Sequence, residues 1–206
     1  MIDRWLASVI AWGARAVTGA SVDWRAGELG SGPTVFVANH SSHADFVLLW
    51  SSLPRELRRS TRPVAARDYW GEGIARYLAD RVFRSVLIDR GSPCCTGVER
   101  KHTAVGQMAD AMGESGALIL FPEGTRSPDG RIGPFRAGLF HLCVARPGLQ
   151  VVPVRLVNLN RVLPKGEVVP LPLLSRVVVA PPIFLQEGES QTAFLERVRQ
   201  AVVSLA

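Results

Sequence analysis

Apolar positions along this chain fall into two alternating kinds of run. Short, nearly continuous apolar stretches rich in β-branched residues recur at 34–38, 63–66, 85–88, 117–121, 151–157 and 176–180, and each reads as a strand. Between several of them, apolar residues repeat at helical spacing over 44–52, 72–80, 96–112, 137–145 and 192–205, the last with Phe194, Val198 and Val202 four apart. Alternation of strand and helix predicts an α/β fold: a single domain on a mixed, partly parallel sheet flanked by helices, with functional loops after the carboxyl ends of strands. The proline-rich stretch 163–173 reads as an extended loop, because a strand-like run and a helix follow it.

The N-terminal segment has a pattern of its own. Ile2, Trp5, Leu6, Val9, Ile10, Trp12, Gly13 and Val17 lie near one helical stripe, with Asp3, Arg4, Ser8 and Arg15 elsewhere, which predicts an amphipathic helix. Two tryptophans with flanking arginines suit a helix lying in the headgroup region of a bilayer. An edge helix packed on the domain's own core satisfies the same pattern. The expected organisation is a membrane-surface helix over 1–20 and the main domain over 21–206.

The composition narrows the class of protein. At 206 residues, 47% hydrophobic and 20% charged, the chain is long and apolar enough to bury a core without disulfide or metal staples. No apolar run approaches the roughly 18 residues of a spanning helix, so any membrane contact is expected from one side. The net charge is +6, only Lys101 and Lys165 are lysines, and nine arginines between Arg55 and Arg90 face five acids. That density of guanidinium implies anionic partners, such as phosphates, an acidic protein or an acidic lipid surface. Nucleic acid is disfavoured, for there is no helix-turn-helix, zinc-ligand or aromatic ribonucleoprotein signature. Cys94, Cys95 and Cys143 form neither an even disulfide set nor a Cys-x-x-Cys pair, which points to a reducing compartment. Asp3 and Arg15 bracket the apolar part of the N-terminus with no clean cleavage site after it, so a cytoplasmic setting is expected.

Two constellations carry candidate chemistry. The first, Asn39-His40-Ser41-Ser42-His43-Ala44-Asp45, follows the strand 34–38 and precedes an apolar helix. A separation of five places His40 and Asp45 on opposite faces of a strand and about 140° apart on a helix, so they meet only across a turn. There Asp45 can accept a hydrogen bond from one imidazole nitrogen, fix the tautomer and leave the other nitrogen as a general base. The competing reading is a capping box in which Ser42 caps the helix and Asp45 satisfies a backbone donor. A metal site on His40, His43 and Asp45 lacks a further ligand cluster, and none is expected.

The second constellation is Phe121-Pro122-Glu123-Gly124-Thr125-Arg126, at the end of the strand 117–121. Gly124 lets the backbone approach a ligand closely, Thr125 offers a hydroxyl, and Arg126 offers the planar fork that matches phosphate oxygens. It reads as an anion-binding loop or, alone, as an ordinary turn with a surface ion pair.

Together, Asn39-His40 with Asp45 and the Phe121–Arg126 block about eighty residues later resemble the glycerolipid acyltransferase family, which includes the 1-acylglycerol-3-phosphate acyltransferases. Val86-Leu87-Ile88-Asp89-Arg90 is similar to that family's second block and Val151-Val152-Pro153-Val154 to its fourth, so the resemblance spans roughly 35–158. Arg84 stands where the family usually has glycine, and Leu87 where phenylalanine is common. The resemblance implies an acyltransferase domain over 21–206 that moves a fatty acyl group to a lysolipid hydroxyl, foremost that of 1-acylglycerol-3-phosphate, giving phosphatidic acid. The alternatives are another lysolipid acceptor, such as an amino-acid lipid, or an esterase or thioesterase using the same His–Asp pair. His40 and Asp45 would be catalytic, and Arg90, Glu123, Gly124, Thr125 and Arg126 would bind the acceptor. No cofactor is implied, since acyl-CoA or acyl carrier protein is a co-substrate. The family's long hydrophobic N-terminal segments have no counterpart in residues 1–20. Anchoring is therefore expected to rest on 2–17, as a peripheral (monotopic) contact with an anionic cytoplasmic membrane face.

Overall fold

Thr34–Ala38 (β2) is buried along its whole length, as a parallel strand covered on both faces requires. The computed structural model describes residues 2–42, 44–67, 73–88, 97–127, 130–158 and 175–205. Around β2 lie β1 (Ser21–Trp24), β3 (Thr61–Ala66), β4 (Val86–Ile88), β5 (Ala117–Leu120), β6 (Gln150–Val157) and β7 (Arg176–Val179), in the sheet order β1-β7-β6-β2-β5-β3-β4. Strands β6, β2, β5, β3 and β4 run parallel, whereas β7 is antiparallel to β6 and carries β1 parallel to itself. The sheet is therefore mixed.

Successive residues of the central strands serve opposite faces. Phe36, Ile119 and Val152 belong to one buried cluster with Leu48, Leu49 and Trp50 of α2 (Asp45–Ser52). Val35, Val37, Leu118 and Val151 belong to the other, with Met108 of α5 (Gly97–Met112), Leu139 of α6 (Gly138–Ala145) and Phe194 of α7 (Gln191–Val203). The result is a three-layer α/β arrangement with a core on each side of the sheet.

Helix α1 (Ile2–Thr18) divides its apolar arc between two uses. Leu6, Ala7, Ile10 and Ala11 pack on the α2 side of the core, while Trp5, Val9, Trp12 and Val17 are exposed, the two tryptophans by 69% and 75%. The helix is thus an edge helix that also presents an indole stripe outward. Two elements were not foreseen. β1 has no apolar run and exists by pairing with β7, and α3 (Arg55–Ser60) has no fully buried residue, with only Leu57 resting on the core. The helix expected over 72–80 is described as α4 (Ile74–Tyr77) widening into a π-helical turn over Leu78–Val82. The stretch 163–173 and Cys94 and Cys95 lie outside the described residues.

Leu118→Ala, at a fully buried position of β5, is expected to lower unfolding free energy by about 2–5 kcal/mol in a urea titration. Trp12→Ser is expected to change it by less than about 0.5 kcal/mol, because the indole covers no core.

Candidate active site

Strand register brings the two sequence blocks together. Val37 pairs with Leu120, so the chain leaves β2 and β5 side by side at their carboxyl ends, the usual place for a site in an open α/β sheet. Asn39, 4% exposed, steadies this departure. Its amide nitrogen donates to the Leu156 carbonyl at 3.1 Å and its oxygen accepts from the Leu156 N–H at 2.8 Å, so a side chain continues the β2–β6 ladder where the backbone turns away.

His40 follows, and four contacts determine its pose. Its N–H donates to Glu123 Oε1 at 2.8 Å, its carbonyl accepts from the Ser127 N–H at 2.8 Å, and its ring stacks on Phe121 with centroids 4.4 Å apart. Nδ1 lies 2.8 Å from Oδ2 of Asp45, the first residue of α2. The same oxygen accepts the Ser41 N–H at 2.6 Å and the Ser42 N–H at 2.8 Å. Asp45 thus combines the two roles that the sequence left as alternatives: it gathers loop donors ahead of the helix and orients the imidazole. Ser42 does not cap α2, whose N-cap is Ala44; its hydroxyl accepts from the Ala44 N–H at 3.3 Å.

The Asp45 carboxylate is fully buried, whereas the His40 side chain is 24% exposed. A carboxylate only accepts, so Nδ1 carries the hydrogen and the lone pair falls on Nε2. No described residue hydrogen-bonds Nε2. A ring held in this way can take a proton at Nε2 and share the resulting charge with Asp45.

The second block forms a tight turn beneath His40. Glu123, 8% exposed, accepts the His40 N–H at Oε1 and the Gly133 N–H at Oε2 (2.9 Å), so its carboxylate ties two loops together. Gly124 has φ +73°, and a Cβ there would meet Arg136 Nε at 2.6 Å; Arg136 donates to the Glu123 carbonyl at 2.9 Å. Thr125 and Arg126 are exposed on the rim of the turn. Arg90 and His43 lie outside the described residues. Asn39, part of the first block but given no role there, and Arg155, not singled out, complete the setting. Arg155 follows the Val151–Val154 run, its charge disfavoured chiefly by burial and favoured by Glu123, and its Nε has no partner among the described residues. An arginine inside an otherwise apolar strand is the signal that could have found it.

Comparison with known proteins shows the family to which the chain belongs. A model of the Acyltransferase family matches residues 20–157, two thirds of the chain, and the protein belongs to that family. A chloroplastic 1-acyl-sn-glycerol-3-phosphate acyltransferase of Brassica napus is 39% identical over 134 residues, covering 65% of this chain and 36% of that protein. The human 1-acyl-sn-glycerol-3-phosphate acyltransferase alpha is 31% identical over 135 residues, 60% of this chain and 40% of that protein. The chain thus spans well under half the length of these relatives. In fold it is similar to the crystal structure of the 1-acyl-sn-glycerophosphate acyltransferase PlsC of Thermotoga maritima, with a TM-score of 0.70 and 21% identity over 98% of this chain and 79% of that one.

Glu123→Gln sets an amide NH2 against one of two backbone N–H groups in either orientation. It is expected to lower stability by about 1–3 kcal/mol, read from the urea midpoint. Unchanged stability would show that Glu123 does not hold the His40 loop.

Proposed function

We propose that the protein is an O-acyltransferase that moves a fatty acyl group from an acyl thioester, acyl-CoA or acyl carrier protein, to the hydroxyl of a lysolipid. The proposed acceptor is 1-acylglycerol-3-phosphate and the product phosphatidic acid. The observation that carries this reading is the His40–Asp45 pair, with Nδ1 held by a buried carboxylate and Nε2 unengaged among the described residues, beside a turn bearing Arg126 in a chain of the Acyltransferase family. The names of the relatives support the acceptor.

The chemistry asks little of the protein, because a thioester is already activated. Nε2 takes the acceptor's hydroxyl proton as its oxygen attacks the thioester carbonyl, and Asp45 offsets the charge on the imidazolium. The tetrahedral adduct collapses by breaking the C–S bond, and the proton on Nε2 passes to the departing thiolate. The products are an ester and a free thiol. Arg126, Gly124 and Thr125, with Arg90, bind the acceptor's phosphate and glycerol, while Glu123 holds the turn in shape. Two aligned substrates gain much of the rate from positioning alone.

Direct transfer is favoured over an acyl-enzyme. Neither Ser41 nor Ser42 hydrogen-bonds His40, and burial pushes the Cys143 thiol up to about 12, which keeps it protonated and unreactive. Helix α1, with its exposed indoles, would seat the protein peripherally on an anionic membrane surface on the cytoplasmic face.

His40→Ala is expected to lower turnover with lysophosphatidate and acyl-CoA by at least ~10²-fold while the circular dichroism spectrum is retained. Thiol release that ignores added lysolipid would replace this reading with a hydrolase. Arg126→Ala is expected to raise the acceptor KM with little change in kcat, and an unaltered KM would remove Arg126 from the phosphate site.

A further inference from the structure

The chemistry above leaves unused a cleft of about 420 Å³ ringed by Arg55, Arg58, Arg59, Arg81 and Arg84. Its arginines precede the amino ends of β3 and β4, whereas His40 and the 121–127 turn follow the carboxyl ends of β2 and β5. The cleft and the candidate active site therefore open at opposite ends of the parallel strands.

Charge in this cleft is poorly matched. Asp3 lines it, but Asp3 Oδ1 already accepts the Tyr77 hydroxyl at 2.7 Å; Glu56 of α3 is the other acid near Arg58. Among the described residues no carboxylate forms an ion pair with Arg55, Arg59, Arg81 or Arg84. Arg58 lies over the Trp50 ring at 5.3 Å and donates to the Ser51 carbonyl at 3.2 Å. Burial disfavours its charge, and so do Arg15, Arg55 and Arg59 around it. An anion in the cleft would relieve that crowding.

A second, independent observation is the backbone of Arg84. Its φ is +52°, a left-handed conformation that glycine holds without strain and a long side chain does not. The Arg62 side chain clamps this turn by donating to the Arg84 carbonyl at 2.6 Å. A strained position is thus filled by an exposed guanidinium directed at the cleft rather than by the residue that would fit best.

The third observation names the ligand. Ser8 of α1 lines the cleft, and the exposed Trp5, Val9 and Trp12 lie on the adjoining face of the same helix. An indole stripe and an arginine cleft sharing one helix are the two halves of an interfacial contact, with rings among the acyl chains and guanidinium groups at the phosphates.

We propose that this cleft binds the phosphate headgroup of an anionic membrane phospholipid, distinct from the acceptor, so that α1 and the arginines dock the chain together. The inference rests on the membrane-surface part of the proposed function and not on its acyl-transfer chemistry. The test is co-sedimentation of the full chain with vesicles of phosphatidylcholine alone and of phosphatidylcholine with phosphatidylglycerol. Arg84→Gly is expected to cut affinity for the anionic vesicles roughly five-fold, with the melting temperature unchanged or raised. Arg55→Gln/Arg59→Gln is expected to cut it more than tenfold while leaving acyl transfer to detergent-dispersed lysophosphatidate unchanged. Both variants should bind neutral vesicles as the parent does, through Trp5 and Trp12. The proposal is overturned if folded Arg84→Gly and Arg55→Gln/Arg59→Gln keep the parent's preference for anionic vesicles. It is equally overturned if they lose protection by inorganic phosphate in a thermal shift while vesicle binding is unaltered, which would make the cleft a site for a soluble anion.

Discussion

One buried carboxylate oxygen organises the candidate site. Asp45 Oδ2 accepts from the Ser41 and Ser42 N–H groups and from His40 Nδ1, so the turn between β2 and α2 is folded around it. The arrangement couples local structure to chemistry. The backbone donors that keep the carboxylate in a dry place are the ones that set the imidazole's distance from it, and a buried charge without such donors would be costly. Disturbing the turn and disturbing the ring are one event.

The second block acts on the same residue from the other side. Glu123 takes the His40 N–H, Ser127 donates to the His40 carbonyl, and Phe121 covers the ring, so the chain leaving β5 is a mould for the chain leaving β2. Of that block's polar groups, the glutamate is turned inward and held by backbone donors, and Thr125 and Arg126 are left exposed at the rim. Preorganisation of this kind suits the proposed transfer, whose electrophile would arrive already activated and whose two substrates would have to be held in line.

The sheet also separates two kinds of work. The carboxyl ends of β2 and β5 carry the site, while the chain entering β3 and β4 carries an arginine cleft against α1. Burial on both faces leaves only the two rims of the sheet for polar function, and the direction of the parallel strands makes those rims unlike each other.

Much of this was legible in the chain. The six apolar runs became strands because a parallel sheet buries both faces and so writes continuous apolar stretches, and His40, Asp45 and Glu123 were visible as blocks at strand ends. What escaped reading lacked an apolar signal: β1 exists through pairing with β7, and α3 is a polar helix with no fully buried residue. The apolar arc of α1 could be read but not divided, because periodicity locates a face and not what covers it. Residue type and spacing determined which groups stand where strands end, since those depend on local backbone preference. The pairing of Val37 with Leu120, the inward turn of Glu123 and the strained Arg84 were decided only in three dimensions, because they are contacts between segments far apart in sequence that no local pattern records.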